Sequence, residues 1–307
     1  MIKTPSVQKI ASFTGHRDAI YALSYGGNHF FYTAGSDGMV VRWNVLEPEK
    51  GFLVAKVPNT VYALHCDISR KWLIIGQNFD GVHLISLETG KEIGSIHLEN
   101  APFFEILTVK NFVLVASGSG KLFVIDLKTG SIAGKIPLSD ASLRTIAYNA
   151  VDDEIAIGGS DHKIRILDPK FSIKQEIEAH TNSVFSLCYS PHDQTLWSGS
   201  RDAHLKAWKK DSQTYVLLYD IVAHMFTINY IAFSPSGKHF ATCSKDKSIK
   251  LWNSQSGKLL KVIDKSRHAG HGTSVNKLCW LNESQLISCS DDKTASLWQI
   301  TWVEESQ

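Results

Sequence analysis

The segment SGSRDAHLKAW, residues 198–208, determines the fold because three other segments of the chain repeat its pattern. The related segments are TAGSDGMVVRW (33–43), TCSKDKSIKLW (242–252) and SCSDDKTASLW (288–298). Each segment places a Ser or Thr ten residues before its Trp and an Asp six residues before it. A pattern that recurs at a nearly constant spacing indicates a repeat architecture, in which each copy is one structural unit.

Three further copies complete the series, although an aliphatic residue replaces the tryptophan. Their strands end at Ile85, Ile125 and Leu167, and the successive intervals along all seven copies are 42, 40, 42, 41, 44 and 46 residues. The acidic turn precedes two of these strands, whereas Ser119 takes its place in the third repeat. Between these positions, short segments rich in β-branched and aromatic residues and bounded by Gly, Pro, Ser and Asp predict four strands per repeat.

A four-stranded unit of about 40 residues with a Gly-His and a Trp-Asp-like dipeptide resembles the WD40 (WD-repeat) β-propeller family over nearly the whole chain. The tryptophans are followed by Asn44, Lys209, Asn253 and Gln299 instead of Asp, so the signature dipeptide is incomplete. The resemblance implies an all-β fold, a seven-bladed β-propeller of four-stranded antiparallel blades, with residues 1–307 as a single domain.

The two ends of the chain predict how this ring closes. The last repeat stops after its third strand, at LWQITW, whereas the first repeat is preceded by an additional strand, VQKIASF, at residues 7–13. We therefore expect residues 7–13 to form the outer strand of the C-terminal blade, which also protects exposed sheet edges.

Four repeats contain a His, a Ser or Thr, an Asp and a Trp in the same order, a combination similar to a nucleophilic triad. A catalytic triad is assembled once at one cleft, whereas this set recurs four times, so repetition favours a structural role. In the WD40 family these residues form a buried chain of hydrogen bonds, and we predict that none is catalytic. The four tetrads are His16, Thr33, Asp37 and Trp43; His180, Ser198, Asp202 and Trp208; His224, Thr242, Asp246 and Trp252; and His271, Ser288, Asp292 and Trp298.

Composition excludes several classes of function. The 32 Lys and Arg residues against 30 Asp and Glu give a formal charge of +2, so no general attraction to nucleic acid or to membrane surfaces is expected. The five cysteines have no metal-ligand spacing and lie in apolar runs, as buried thiols of a reducing compartment do. No secretion signal and no run of about 18 apolar residues is present. We therefore expect a cytoplasmic protein.

Two further motifs resemble functional sites but lack residues that such sites require. The segment SGSGK at 117–121 lacks the first Gly and the final Ser or Thr of a phosphate-binding loop, so it is expected to be a turn. His268 and His271 have no Cys or carboxylate at ligand spacing. We predict no cofactor and no metal.

In propellers of this family the loops that enter the innermost strands gather on one face, which is the usual docking surface. Aligning the innermost strands by a His-x-x-x-Val pattern places one residue per blade at the mouth of the central channel. Five of the seven are aromatic or Arg, the types enriched at binding hot spots. On the same face we expect Arg17, Arg201 and Lys245, with Ser36, Ser160 and Asp291. The seven channel-mouth residues are Tyr21, Tyr62, Phe104, Arg144, Phe185, Asn229 and Asn276.

These residues predict a non-catalytic scaffold that binds a peptide or protein segment carrying an acidic residue, alone or within a larger complex. Phe104 and Phe185 fit packing between blades as well as exposure, whereas polar tips favour exposure of Tyr21, Tyr62 and Arg144. The long loop 264–270 either borders the site or is merely mobile.

Two alternative functions remain open. An enzyme would need catalytic groups in the channel, and the seven predicted residues include no carboxylate, Cys or His. An RNA-associated subunit could stack bases on Tyr21, Tyr62 and Phe104 beside Arg144, but such sites normally accompany a strongly basic surface.

Overall fold

Residues 4–302 are described by a computed structural model, in which seven four-stranded antiparallel sheets, the blades, are arranged around one channel. The first strand, β1 (Ser6–Thr14), belongs to the last blade. Blade 1 contains β2 (Ile20–Tyr25), β3 (Phe30–Gly35), β4 (Met39–Asn44) and β5 (Gly51–Lys56); blade 2 contains β6 (Val61–Asp67), β7 (Trp72–Gln77), β8 (Gly81–Ser86) and β9 (Glu92–His97); blade 3 contains β10 (Phe103–Val109), β11 (Phe112–Ser117), β12 (Lys121–Asp126) and β13 (Ser131–Pro137).

The second half of the chain continues the same order. Blade 4 contains β14 (Leu143–Asn149), β15 (Glu154–Gly159), β16 (Lys163–Leu167) and β17 (Ile173–Glu178); blade 5 contains β18 (Val184–Tyr189), β19 (Leu196–Ser200), β20 (His204–Asp211) and β21 (Thr214–Val222); blade 6 contains β22 (Ile228–Phe233), β23 (His239–Ser244), β24 (Ile249–Asn253) and β25 (Leu259–Ile263). After the short helix α1 (Lys265–His268), blade 7 contains β26 (Val275–Asn282), β27 (Gln285–Ser290) and β28 (Thr294–Thr301), with β1 as its fourth strand. No helix within residues 4–302 has the length and apolar content needed to cross a bilayer.

The ring closes as the chain ends predict. Strand β1 pairs antiparallel with β28, from Val7 opposite Ile300 to Phe13 opposite Ala295. Phe13 is fully buried and packs in an apolar cluster with Ile20 of blade 1 and residues of blade 7. The seven-bladed propeller with an N-terminal closing strand is therefore confirmed.

The apolar core is divided into seven clusters, each filled by two neighbouring blades. The cluster between blades 2 and 3, for example, joins Ile74 and Val82 with Phe103 and Val113. Successive side chains of a strand point to opposite faces of the sheet, so each inner strand contributes to the clusters on both of its sides. This packing fixes the position of the inner strands around the channel.

Every innermost strand contains a β-bulge close to its start. In β2 the pairing with β3 shifts from Ile20 opposite Gly35 to Ala22 opposite Ala34, which leaves Tyr21 without a partner. A bulge leaves its extra residue outside the ladder and redirects that side chain. One residue per blade is left unpaired in this way, and we call these seven the bulge residues. From blade 1 to blade 7 they are Tyr21, Tyr62, Phe104, Arg144, Phe185, Asn229 and Asn276.

The turn between the second and third strands uses a left-handed residue in each blade. In six blades the left-handed residue comes directly after the position that the Asp of the turn occupies, and its φ is between 69° and 79°. These six residues, one per blade, are Gly38, Gly120, His162, Ala203, Lys247 and Lys293. In blade 2 it is Phe79, with φ of 64°, which precedes Asp80. The turn of blade 2 is thus built differently, which accounts for its shorter Asp-to-strand-end spacing.

Candidate functional site

The four predicted tetrads form continuous hydrogen-bond chains inside their blades. In blade 5 the Trp208 indole N–H donates to Ser198 Oγ over 2.9 Å, and Ser198 Oγ lies 2.8 Å from His180 Nε2. His180 Nδ1 lies 3.0 Å from Asp202 Oδ2. In all four tetrads the His–carboxylate distance is 2.8–3.0 Å, the His–hydroxyl distance is 2.8 Å and the Trp–hydroxyl distance is 2.8–2.9 Å.

The surroundings fix the protonation states of the tetrads. The hydroxyl accepts from the Trp and donates to His Nε2, so a neutral imidazole can donate from Nδ1 to the carboxylate. Burial lowers the pKa of His16, His180 and His224, against the opposing effect of their carboxylate partners. Burial by itself would raise the pKa of Asp202, but hydrogen bonds from His180 and from two backbone N–H groups hold that pKa well below its usual range. The Trp N–H, the hydroxyl, both His nitrogens and the carboxylate of each tetrad therefore all have hydrogen-bond partners within the chain, as in a structural network.

Blades 3 and 4 use different ion pairs at the corresponding places. In blade 3, where Ser119 replaces the acid, Glu99 supplies the carboxylate and accepts hydrogen bonds from Ser117, Ser119 and Lys121. In blade 4, Asp161 accepts from Arg165 Nη2 over 2.5 Å. Blade 2 pairs Asp80 with His97 on its exposed side, over 2.9 Å. The SGSGK segment therefore lies in the β11–β12 turn, and its Lys121 is paired with Glu99.

One cavity of about 340 Å³ opens at the mouth of the channel. All seven bulge residues line it, so it lies where the seven inner strands converge. Each of the seven is partly exposed. The full lining comprises Tyr21, Tyr62, Phe104, Glu105, Arg144, Phe185, Asn229, Lys245, Ser274, Asn276, Lys277 and Asp291.

Blades 1 to 5 contribute a continuous aromatic and cationic arc to this cavity. The rings of Tyr21 and Tyr62 lie 5.0 Å apart, and Tyr62 stacks on Phe104 with 5.6 Å between centroids. The Arg144 guanidinium lies 4.0 Å from the Phe104 ring centroid and 5.3 Å from that of Phe185. A cation over aromatic faces is attracted by their quadrupoles, so the arc is held together without a carboxylate.

Blades 6 and 7 contribute a polar arc. Asn229 Nδ2 donates to Ser274 Oγ over 2.9 Å, and Asn276 Nδ2 donates to Asp291 Oδ1 over 2.8 Å. Burial, followed by the charge of Asp291, raises the pKa of Tyr21, so its phenol stays protonated. The cavity therefore presents apolar and cationic surface on one side and amide, hydroxyl and carboxylate groups on the other.

An ion pair crosses the channel below the mouth. Lys277 Nζ lies 2.8 Å from Glu105 Oε2, joining blade 7 to blade 3, and Lys277 also lies 4.1 Å from the Tyr230 ring centroid. The two charged side chains are only 13% and 14% exposed. Because Glu105 and Lys277 each follow a bulge residue along an inner strand, the pair lies one residue deeper than the arc.

The structure also separates residues that the sequence grouped together. Lys245 and Asp291 line the cavity, and Ser160 Oγ accepts a hydrogen bond from Arg144 Nε over 2.8 Å. Arg17 and Arg201 are exposed but are not part of the cavity wall, and neither is Ser36. The loop 264–270 contains α1 and approaches β1, where Lys9 donates to Ala269, so it lies outside this cavity.

The sequence analysis missed Glu105, Ser274 and Lys277, which also line the cavity. The seven predicted residues contain no carboxylate, whereas the cavity wall contains Glu105. The missing signal is the bulge, because it brings two consecutive residues of an inner strand to the channel. Glu105 pairs with Lys277, and Asp291 accepts a hydrogen bond from Asn276. Neither carboxylate is therefore arranged as a general base beside a nucleophile. Within residues 4–302 no group of three or more His, Cys, Asp or Glu side chains is arranged to hold a metal ion.

Comparison with known protein families gives one matching model, WD40, described as WD domain, G-beta repeat. It matches residues 7–44, 171–209, 215–253 and 258–299. These four ranges contain the four complete tetrads, while blades 2 to 4, apart from the outer strand of blade 4, lie between the first and second ranges. The match covers just over half of the chain.

Individual proteins are similar over shorter stretches. Polyadenylation factor subunit 2 of Candida albicans is 31% identical over 169 residues, covering 53% of this chain and 30% of that protein. Probable cytosolic iron-sulfur protein assembly protein 1 of Kluyveromyces lactis is 31% identical over 149 residues, covering 47% and 33%. The chain thus spans about a third of the length of these relatives.

A solved structure agrees over nearly the full length. The WD40 beta propeller domain of Doa1 superposes with a TM-score of 0.84, covering 96% of this chain and 97% of that one. At 16% sequence identity, this agreement establishes the fold alone.

Proposed function

The chain belongs to the WD40 repeat family, whose propellers are generally protein-interaction scaffolds, and we propose that it is a non-catalytic scaffold that binds a peptide or protein segment at the channel mouth. The convergence of all seven bulge residues on one cavity of about 340 Å³ carries this proposal. Concave sites with apolar walls and a few oriented polar groups are the usual form of a binding pocket.

The composition of the mouth supports a protein ligand. Aromatic residues and Arg are enriched among the few residues that supply most of the energy of an interface. Two loops also present exposed apolar side chains: Phe79 is 52% exposed in the β7–β8 turn, and Met225 and Phe226 are 81% and 56% exposed in the connection that enters β22. A partner that fills the cavity and also contacts either loop would bury additional apolar surface.

The relatives support a role in an assembly. One is named as a subunit of a polyadenylation factor and another as a cytosolic assembly protein. We infer that this chain also acts as a subunit of a larger complex and that it works in the cytoplasm. Fractionation of cells that express a tagged chain tests the second inference, and a nuclear signal alone would refute it.

We expect no direct role for nucleic acid. The formal charge is +2, and the mouth holds two carboxylates beside its cations. Binding to a single-stranded RNA probe should therefore be weak. A tight interaction whose affinity falls steeply with salt would instead indicate phosphate contacts.

Affinity capture tests the proposed site. The double variant Tyr21→Ala/Arg144→Ala should lose the partners that the unmodified chain recovers, because it removes the Tyr at one end of the aromatic and cationic arc together with the cation of that arc. The matched control is Arg42→Ala/Phe52→Ala, which removes an Arg 5.0 Å from a Phe ring centroid on the outer side of blade 1. Equal recovery by the unmodified chain and both variants would show that the partner binds elsewhere.

A further inference from the structure

We propose that the Arg144 guanidinium, held between Phe104 and Phe185, is the receptor for a single carboxylate of the partner, supplied by an Asp or Glu side chain or by a C-terminus. This proposal rests on the proposed function and specifies the chemistry that the same site recognises. It also predicts that a carboxylate is preferred to a phosphate group.

The first observation is the orientation of Arg144. Its Nε donates to Ser160 Oγ over 2.8 Å, and its guanidinium lies over the two Phe rings. One contact at Nε and two aromatic neighbours restrict the rotation of the side chain. Both terminal nitrogens lack a hydrogen-bond partner among residues 4–302, so the planar fork is free to bind. Two parallel N–H groups of such a fork match the two oxygens of a carboxylate.

The second observation is the uncompensated charge of Arg144. The side chain is partly buried, and this burial lowers its pKa, but a guanidinium remains protonated in proteins. No carboxylate among residues 4–302 forms a salt bridge with it, whereas the buried Lys277 has Glu105. A charge that is partly removed from water is costly unless it is paired. A carboxylate from a partner would supply the missing counterion.

The third observation limits the ligand to one negative charge. Lys277 is already neutralised by Glu105, and Lys245 is an exposed side chain on the rim. Arg201, whose charge helps to lower the pKa of Arg144, is exposed and lies outside the cavity wall. Asp291 adds a carboxylate to the same cavity. A phosphate group carries nearly two negative charges at neutral pH and favours clusters of cations. Arg144 is thus the one cation of the cavity wall that is oriented by its neighbours and has no counterion among residues 4–302, and a carboxylate lies nearby, so the cavity favours a monoanion.

The fourth observation concerns how the ligand enters. The Lys277–Glu105 pair joins opposite blades directly below the arc, so it forms a floor to the cavity. A polypeptide that bound here would insert a side chain or its terminus from the mouth and would not thread through the channel. Acidic side chains and a C-terminal carboxylate both satisfy this requirement.

The test uses two pools of random synthetic nonapeptides, both acetylated, one with free C-termini and one with C-terminal amides. The purified full chain selects from each pool, and mass spectrometry identifies the retained peptides. If an acidic side chain is the ligand, we expect the retained amidated peptides to share an Asp or Glu. If the C-terminus is the ligand, we expect retained peptides to come only from the pool with free C-termini. Arg144→Gln should abolish this acid requirement, and Arg144→Lys, which keeps the charge but loses the fork, should weaken it.

Arg42→Gln is the matched control, because Arg42 also lies between two Phe rings, 5.1 and 5.0 Å from the centroids of Phe30 and Phe52. It should retain the same peptides as the unmodified chain. A second arm needs no protein variant: for a retained peptide, Glu→Gln and Glu→phosphoserine should each weaken binding to the unmodified chain, the former by about tenfold or more. This arm tests the preference for a carboxylate even if Arg144→Gln fails to fold, and Arg144→Lys then tests whether Arg144 is the receptor.

The outcomes distinguish the two proposals. If the unmodified chain retains peptides without an acid requirement, or if Arg144→Gln retains the same acidic peptides, Arg144 is not the receptor while the binding function stands. Tighter binding of the phosphoserine peptide would overturn the preference for a carboxylate. If neither pool yields a peptide above the blank resin, the peptide-binding function fails and this inference fails with it.

Discussion

At the residue scale, the same four residue types that could serve catalysis are held here in a chain of mutual hydrogen bonds. Asp202 accepts from His180 Nδ1 and from the backbone N–H groups of Thr181 and His204, over 2.9–3.0 Å. His180 cannot approach a substrate, since its side chain is fully buried and both ring nitrogens are occupied. The chemistry of the tetrad is therefore used for stability.

Replacing Asp202 with Ala should lower the free energy of unfolding by about 3 kcal/mol, because it leaves a buried imidazole and two backbone donors without an acceptor. Urea unfolding of the variant measures this loss. Asp211→Ala is the control, because Asp211 is exposed at the end of β20, and it should change stability little. Equal stability of the two variants would contradict a structural role for the tetrad.

Acidification should destabilise the protein in two stages. The pKa of His16, His180 and His224 is lowered in the fold, so below about pH 6.5 the unfolded chain binds more protons than the folded chain. Stability contributed by these groups is present above the unfolded pKa and is lost as the pH falls. Asp202, Asp246 and Asp292, whose pKa values are depressed, add a further loss below about pH 4.

Urea unfolding at pH 7.5 and 5.5 measures the first stage, with an upper limit of about 1.4 kcal/mol per pH unit for each histidine. His180→Gln should reduce the difference in the free energy of unfolding between these two pH values, because it removes one of the three histidines whose pKa is lowered. Stability that is equal or greater at pH 5.5 would refute the assignment of neutral tetrad histidines.

At the element scale, the turns that enter the third strands are specified by backbone conformation and by the space around them. Gly120 has φ of 79°, and a Cβ there would lie 1.8 Å from the carbonyl oxygen of Ser139. Gly130 has a similar φ of 64°, but a Cβ there would meet nothing within 4 Å. An Ala at Gly130 would therefore introduce backbone strain alone, whereas an Ala at Gly120 would introduce backbone strain and a steric clash.

Both Gly120→Ala and Gly130→Ala should lose about 1 kcal/mol through left-handed strain. Gly120→Ala should lose about 2 kcal/mol more, because the segment that carries Ser139 must move. Thermal melting of the two variants compares them directly. Losses of similar size would show that the β13–β14 connection yields to the extra methyl group without cost.

The inner strands show how much of the site was accessible from the sequence. Tyr21, Arg144 and their five counterparts could be predicted because each follows a buried apolar residue at a fixed place in the repeat. Glu105 and Lys277 could not, since only the strand pairing reveals that the bulge turns the next residue towards the channel as well. Glu99 escaped for another reason: it supplies the blade 3 carboxylate from outside the turn motif.

At the scale of the whole molecule, the site exists because the ring is closed. Glu105 and Lys277 are separated by 172 residues in the chain and meet across the channel. The repeat spacing, the additional strand at the start of the chain and the three-stranded repeat at its end predicted this closure. Together that strand and that repeat make one complete blade. The repeats could not predict contacts between distant blades, because those depend on individual side chains that differ from copy to copy.

The central claim is that the partner binds at the channel mouth, and site-specific photo-crosslinking tests it most directly. Benzoylphenylalanine at Tyr62, on the cavity wall, should crosslink the chain to its partner in cells. The same group at Leu217, which is 50% exposed on the outer strand β21, should not. A crosslink formed from Leu217 and absent from Tyr62 would place the partner on the side of the propeller and contradict the account.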